Sequence, residues 1–144
     1  MADPLSMVGS LIAVVQLTGK IISICYDYRS AFKSANRDLA RTIDEITGLR
    51  DVLEQLLKLV DYKDIDDRWK VPTVRSLAKP DGILATCKSE LVRIEKKIEP
   101  AKTKWTAIGQ ALTWPLKEGE ISKDLDAISR TKSTLSLSLL VDQT

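Results

Sequence analysis

The run PLSMVGSLIAVVQLTG, Pro4 to Gly19, carries no charge over sixteen residues in a chain where 29% of the residues are charged. A stretch this apolar is buried in a core, removed as a targeting signal or placed in a membrane, and each choice dictates a different protein. The targeting signal fits least. The leader MAD puts an acid, Asp3, where a signal peptide has basic residues, and no small-x-small cleavage site is followed by a change of character. The segment is expected to stay in the folded chain.

Spacing narrows the choice further. Ser6, Gly9, Ala13, Gln16, Lys20, Ser23 and Asp27 are small or polar and recur at steps of three and four, which is the period of one helix face. The segment therefore reads as one continuous helix with a narrow polar stripe. Leu5, Val8, Ile12, Val15, Ile22 and Tyr26 lie on one flank of the stripe, and Met7, Leu11, Val14, Ile21 and Cys25 on the other. A helix apolar over so much of its circumference is expected at the centre of a bundle or in lipid.

A second helix is expected from the cap candidates Ser34 and Asn36 to about Val60, with Leu39, Ile43, Ile46, Leu49, Leu53, Leu56 and Val60 on one face. Two successive steps of three, from Ile43 to Ile46 to Leu49, break a strict heptad. DYKDIDDRWKVPTVRSLAKPDG mixes acids with two prolines and a glycine and reads as a connection with one short helical turn after Pro72. Asp81 is a cap for a third helix, whose Leu84, Cys87, Leu91, Ile94 and Ile98 form a clean seam until Pro100 ends or kinks it.

Trp105, Ile108 and Leu112 suggest a short extra helix, and Trp114 before Pro115 is a structural corner, since the proline ring drives the preceding residue out of helical geometry. The last helix is expected from about Lys117 to Val141, with Ile121, Leu125, Ile128, Leu135 and Leu139 facing in and Lys123, Asp124, Arg130 and Lys132 on its polar face. With no alternating segment of strand length, the expected fold is all-α: an antiparallel helical bundle of four main helices plus a short fifth, the hydrophobic N-terminal helix central. At 144 residues the chain is expected to form one domain.

Chemistry is sparse. There is no histidine, so the commonest general base and metal ligand is missing. Thr18-Gly19-Lys20 invites a phosphate-loop reading, but Val14 stands where the first glycine is needed and Ile21 where Ser or Thr must follow the lysine. Ser30 with Lys33 and Ser129 with Lys132 match a bare S-x-x-K without any partner constellation. Asp64, Asp66 and Asp67 cluster without the glycine and terminal glutamate of a calcium loop. Catalytic, cofactor-binding and metal-binding residues are all expected to be none, and the chain is not expected to be an enzyme.

Cys25 and Cys87 fall on apolar helix positions and read as buried free thiols in a reducing compartment. The net charge is +2, with ten basic and eleven acidic residues before Thr73 and twelve basic and nine acidic from there on. Neither half is a nucleic-acid footprint. Between Lys88 and Lys104 six basic residues interleave with three acids, a pattern that could attract anionic lipid but reads first as a solvated helix face.

Two blocks, MADPLSMVGSLIAVVQLTGKIISICYDY and WPLKEGEISKDLDAISRTKSTLSLSL, resemble the fungal N-terminal domain of STAND (NOD-like receptor) proteins. This is the HeLo-like family, also described as the azaphilone pigment cluster protein L N-terminal domain. The resemblance rests on Val14, Val15, Gln16 and Leu17 running into Cys25 and Tyr26, and on Trp114-Pro115-Leu116-Lys117 followed by Leu135, Leu137 and Leu139. It implies a helical domain, the N-terminal part of a longer receptor whose downstream modules are absent from this chain. It also implies a role in regulated cell death of the kind seen in innate immunity and heterokaryon incompatibility.

In that role clustering releases the first helix toward a membrane. The residues this concerns are Leu5, Val8, Gly9, Leu11, Ile12, Ala13, Val15, Gln16 and Lys20. The implied partners are further copies of the chain and an anionic membrane, with a cytoplasmic resting location and the plasma membrane as the destination on activation. The alternative is a soluble helical adaptor that recruits a partner through the outer faces of the second or last helix.

Overall fold

The computed structural model of the chain describes residues 4–31, 37–60, 82–108, 116 and 119–143. They are helical apart from a few residues at the helix approaches: α1 spans Pro4–Ala31, α2 Arg37–Val60, α3 Ile83–Ile108 and α4 Ser122–Gln143. Ser34, Asn36, the connection with Asp64, Asp66 and Asp67, the turn after Pro72, Asp81, Leu112 and the corner at Trp114 and Pro115 lie outside the described residues.

The helices form a bundle because each carries an apolar seam of the right period. Leu39, Ile43, Ile46, Leu49, Leu53 and Leu56 of α2 are buried, as are Leu84, Cys87, Leu91, Ile94 and Ile98 of α3 and Leu125, Ile128 and Leu135 of α4. These are the faces that the spacing predicts. On α2 the expected break in the heptad is accommodated without exposing Ile46 or Leu49.

α1 packs against α2 and α3, and α4 packs against the same two helices. The ring therefore runs α1, α2, α4, α3, and the consecutive helices α2 and α3 face each other across a diagonal. The polar contacts give the direction of two neighbours. Along α2 and α4, Asp38 meets Gly119, Arg41 meets Ser122 and Asp126, and Glu45 meets Lys132, so the two helices advance in the same sense. Along α3 and α4, Glu90 meets Thr131 and Lys97 meets Asp124, so those two advance in opposite senses.

Two expectations change. First, α1 is not central but one corner of the ring. It buries Leu11, Val14, Thr18, Ile21, Ile22, Ile24, Cys25 and Tyr28, yet Gly9, Ala13, Gln16, Lys20, Ser23 and Asp27 all lie at the surface. The polar stripe is the solvent face itself, and only one of its apolar flanks is fully enclosed. Second, α3 does not end at Pro100 but continues to Ile108, so Trp105 and Ile108 belong to it. A proline at 100 cannot donate a backbone hydrogen bond. In the preceding turn the Ile98 carbonyl accepts a bond from the buried Tyr28 hydroxyl at 2.8 Å, which ties α1 to α3 where the α3 ladder is weakest.

α4 starts at Ser122 rather than near Lys117. Gly119 is left-handed, with φ of 80°, a conformation that glycine adopts without a Cβ penalty. Its N–H donates to Asp38 Oδ2 at 2.9 Å, and its carbonyl accepts from the Ser122 N–H at 3.2 Å. This turn sets the direction in which α4 leaves.

Candidate interaction face of the first helix

On α1 two apolar seams run side by side. Leu11, Val14, Thr18, Ile21, Cys25 and Tyr28 step by three and four and all are buried. The second seam is Val8, Ile12, Val15, Gly19, Ile22 and Tyr26, also at steps of four and three. Of these Ile22 is buried, Val8, Val15 and Gly19 are half-buried, and Ile12 and Tyr26 are 41% and 48% exposed. Ile12 and Tyr26 are two of three large apolar side chains at the surface among the described residues, the third being Leu137 on α4.

The sequence-chosen residues therefore divide. Gly9, Ile12, Ala13, Gln16 and Lys20 share the outward face, Val8 and Val15 line its edge, and Leu11 is buried in the core. Leu5 lies in the first turn of α1, where no side chain is described. Thr18, Gly19 and Lys20 sit in mid-helix rather than in a loop. The Thr18 hydroxyl donates to the Val15 carbonyl at 2.6 Å, and Lys20 Nζ lies 3.2 Å from Glu95 of α3. The phosphate-loop geometry is thus excluded at that site. Of the S-x-x-K pairs, Lys132 is half-buried and bonds Glu45 at 3.4 Å.

Lys20 is the charge on the outward face between Val8 and Tyr26, and Glu95 opposes it. From Val8 to Arg29, α1 is long and apolar enough to cross a membrane by length and composition, with 39% of its most apolar window buried in the bundle.

Elsewhere the structure finds polar groups that sequence reasoning placed on the wet side or passed over. Asp124 is buried, with Lys97 on one carboxylate oxygen and Arg93 3.5 Å from the other. It sits in the first turn of α4, where the helix dipole favours a carboxylate. The signal was present in α3, where Arg93 and Lys97 are four residues apart and so share a face. Glu90 is buried against α4 and accepts from the Thr131 hydroxyl at 2.7 Å. Tyr28 continues the buried seam of α1 one step beyond Cys25 and was legible from that spacing.

Both thiols are free and buried. Burial pushes Cys25 up to about 12; burial, followed by the nearby Glu90 carboxylate, pushes Cys87 up to about 12. Tyr28 is also raised, first by burial and then by Cys25. Thiols held neutral in this way are poor nucleophiles and poor metal ligands at physiological pH.

Set beside protein families, curated proteins and solved structures, the chain matches none of them.

Proposed function

We propose that this chain is a non-enzymatic signalling or effector domain that acts by self-association and membrane targeting through α1. This is the role implied by its resemblance to the HeLo-like N-terminal domains of fungal STAND receptors. The observation that carries the reading is the outward face of α1: apolar or small at Val8, Gly9, Ile12, Ala13, Val15 and Gly19, and bearing one charge, Lys20, already opposed by Glu95.

The membrane step has a definite cost. A charge near a helix centre costs about 2.5 to 3.5 kcal/mol on insertion scales. Lys20 must therefore snorkel or be shared within an assembly, and a single copy of α1 inserts poorly. Gly9 and Ala13, four residues apart, let helices approach closely. Such a domain rests in the cytoplasm and meets anionic lipid once receptor modules cluster it.

The connection between the first two helices bears on the direction of the bundle. Six peptide units from Ala31 to Arg37 reach at most about 22 Å, short of the roughly 36 Å occupied by α2. This favours α1 and α2 running antiparallel in an up-down-up-down bundle.

The test is dye release from anionic vesicles by the chain fused to an inducible clustering tag. Clustered wild type is expected to release dye. Ile12→Asp and Val15→Asp are expected not to, with circular dichroism checking that each still folds. Retention of dye by the clustered wild type overturns the reading. The adaptor alternative draws on Leu137, which is 63% exposed on α4. It predicts a soluble partner that is lost on Leu137→Asp and no lipid binding.

A further inference from the structure

The two halves of α1 are held in the bundle unequally. Thr18, Ile21, Ile22, Ile24, Cys25 and Tyr28 are buried in the stretch from Thr18 to Arg29, whereas from Val8 to Leu17 only Leu11 and Val14 are. The directional ties divide at the same place. Lys20 Nζ lies 3.2 Å from Glu95, and the Tyr28 hydroxyl donates to the Ile98 carbonyl at 2.8 Å. Among the described residues, no side chain from Val8 to Leu17 makes an ion pair or hydrogen bond to another helix.

The boundary falls on residues that favour a break. Thr18 is fully buried, and its hydroxyl donates to the Val15 carbonyl at 2.6 Å. A back-bond of this kind weakens a helix and bends it. Glycine follows at 19, where it lowers helix stability relative to alanine, and Lys20 then ends the uncharged run. Threonine is also a good N-cap.

We infer that α1 is built in two parts hinged at Thr18: a segment from Val8 to Leu17 that opens from the bundle as one unit, and an anchor from Thr18 to Arg29 that stays. Unwinding the first part frees the Thr18 hydroxyl from the Val15 carbonyl, and it then accepts from the N–H of Lys20 or Ile21. The anchor therefore keeps a capped start when the first part leaves. The hinge limits what a membrane can receive. A helix from Pro4 to Leu17 is about 21 Å long, short of the roughly 30 Å hydrocarbon core. It carries no charge, and Lys20 keeps its partner Glu95, so the segment lies in the bilayer surface and the cost of carrying Lys20 into lipid falls away. This membrane consequence rests on the function proposed above; the hinge itself does not.

The experiment reads amide hydrogen exchange along the full chain without lipid, at several low denaturant concentrations. Amides from Val8 to Leu17 are expected to share one opening equilibrium and one denaturant dependence, and to exchange at least about ten times faster than those from Ile21 to Tyr28. The step falls at Thr18. Thr18→Val is close in shape and removes the cap, so it should slow exchange of the first part about fivefold, the worth of one cap. Thr18→Ser keeps the hydroxyl and should leave the step in place. A smooth gradient of protection along α1 is ordinary end fraying and overturns the inference. Equal exchange from Val8 to Tyr28, or a Thr18→Val chain that opens as readily as wild type, also overturns it.

A second arm places an environment-sensitive dye on Ile12→Cys or on Tyr26→Cys, the native thiols being buried and slow to react. Each labelled chain is checked by circular dichroism, clustered and added to anionic vesicles. The dye at 12 is expected to enter lipid and the dye at 26 to stay in water. Entry of both makes the whole of α1 the moving part and overturns the inference. Entry of neither, with the step at Thr18 present in solution, keeps the hinge and removes the membrane reading.

Discussion

α1 and α4 occupy opposite corners of the same bundle and are held there by different physics. α4 is fastened to both neighbours by directional contacts: Arg41 to Asp126 at 2.6 Å and Asp38 to Gly119 on the α2 side, Lys97 and Arg93 to Asp124 and Thr131 to Glu90 on the α3 side. α1 buries an apolar seam from Leu11 to Tyr28, and Tyr28 and Lys20 reach α3 from its second half. Within the first half, from Val8 to Leu17, Leu11 and Val14 are the fully buried residues. Directional contacts fix a register, whereas apolar contacts can be exchanged for other apolar surfaces at little loss. On the proposed reading, the helix that changes partners is α1.

The largest expected effect should be blind to this difference. Leu53→Ala on α2 and Leu91→Ala on α3 remove fully buried side chains and should each cost about 2 to 5 kcal/mol in denaturant unfolding. Melts within roughly 2 °C of wild type for both would contradict the assigned seams.

Alkaline pH comes next and bears on the core around α1. Cys25 and Cys87 are raised from 9.0 to about 12 in the folded chain. Their contribution is therefore fully present below about pH 9, where both states hold the proton. Above that the unfolded chain ionises first, and stability falls by up to about 1.4 kcal/mol per pH unit per thiol until the folded groups also titrate near 12. Urea unfolding from pH 8 to 10.5 should show the decline, and a Cys25→Ala/Cys87→Ala chain should show a shallower one.

Asp124→Asn sharpens the comparison from the α4 side. It should cost about 1 to 3 kcal/mol, less than a fully enclosed ion pair because Arg93 and Lys97 retain contact with water. The smallest effect is on α1: Lys20→Gln breaks a partly exposed pair with Glu95 and should change stability by no more than about 1 kcal/mol. A larger loss for Lys20→Gln than for Asp124→Asn would reverse the comparison.

The fold was largely legible because helix seams are periodic. The buried faces of α2, α3 and α4 follow from steps of three and four, and even the polar stripe of α1 was found residue by residue. The stripe marks the solvent face rather than an enclosed one. Apolar residues on both its flanks suggest enclosure all round, whereas burial depends on a helix's neighbours, and among the described residues α1 packs chiefly against α2 and α3. Pro100 reads as an end or a kink because its missing N–H acts locally, and the structure carries α3 past it to Ile108.

Asp124 was placed with the exposed charges because one sequence position cannot reveal two cations converging from another helix. The outward seam of α1 was visible in the spacing of Val8, Ile12, Val15, Ile22 and Tyr26. That Ile22 turns in while Ile12 and Tyr26 stay out depends on where the neighbouring helices lie.

The central claim is that α1 exchanges partners while α4 keeps its own. Amide hydrogen exchange read along the chain, with the clustered domain on anionic vesicles compared with the free domain, tests it most directly. The account predicts that protection changes from Val8 to Val15 and stays constant from Leu125 to Leu135. Equal changes in both segments, or none in α1, would contradict it.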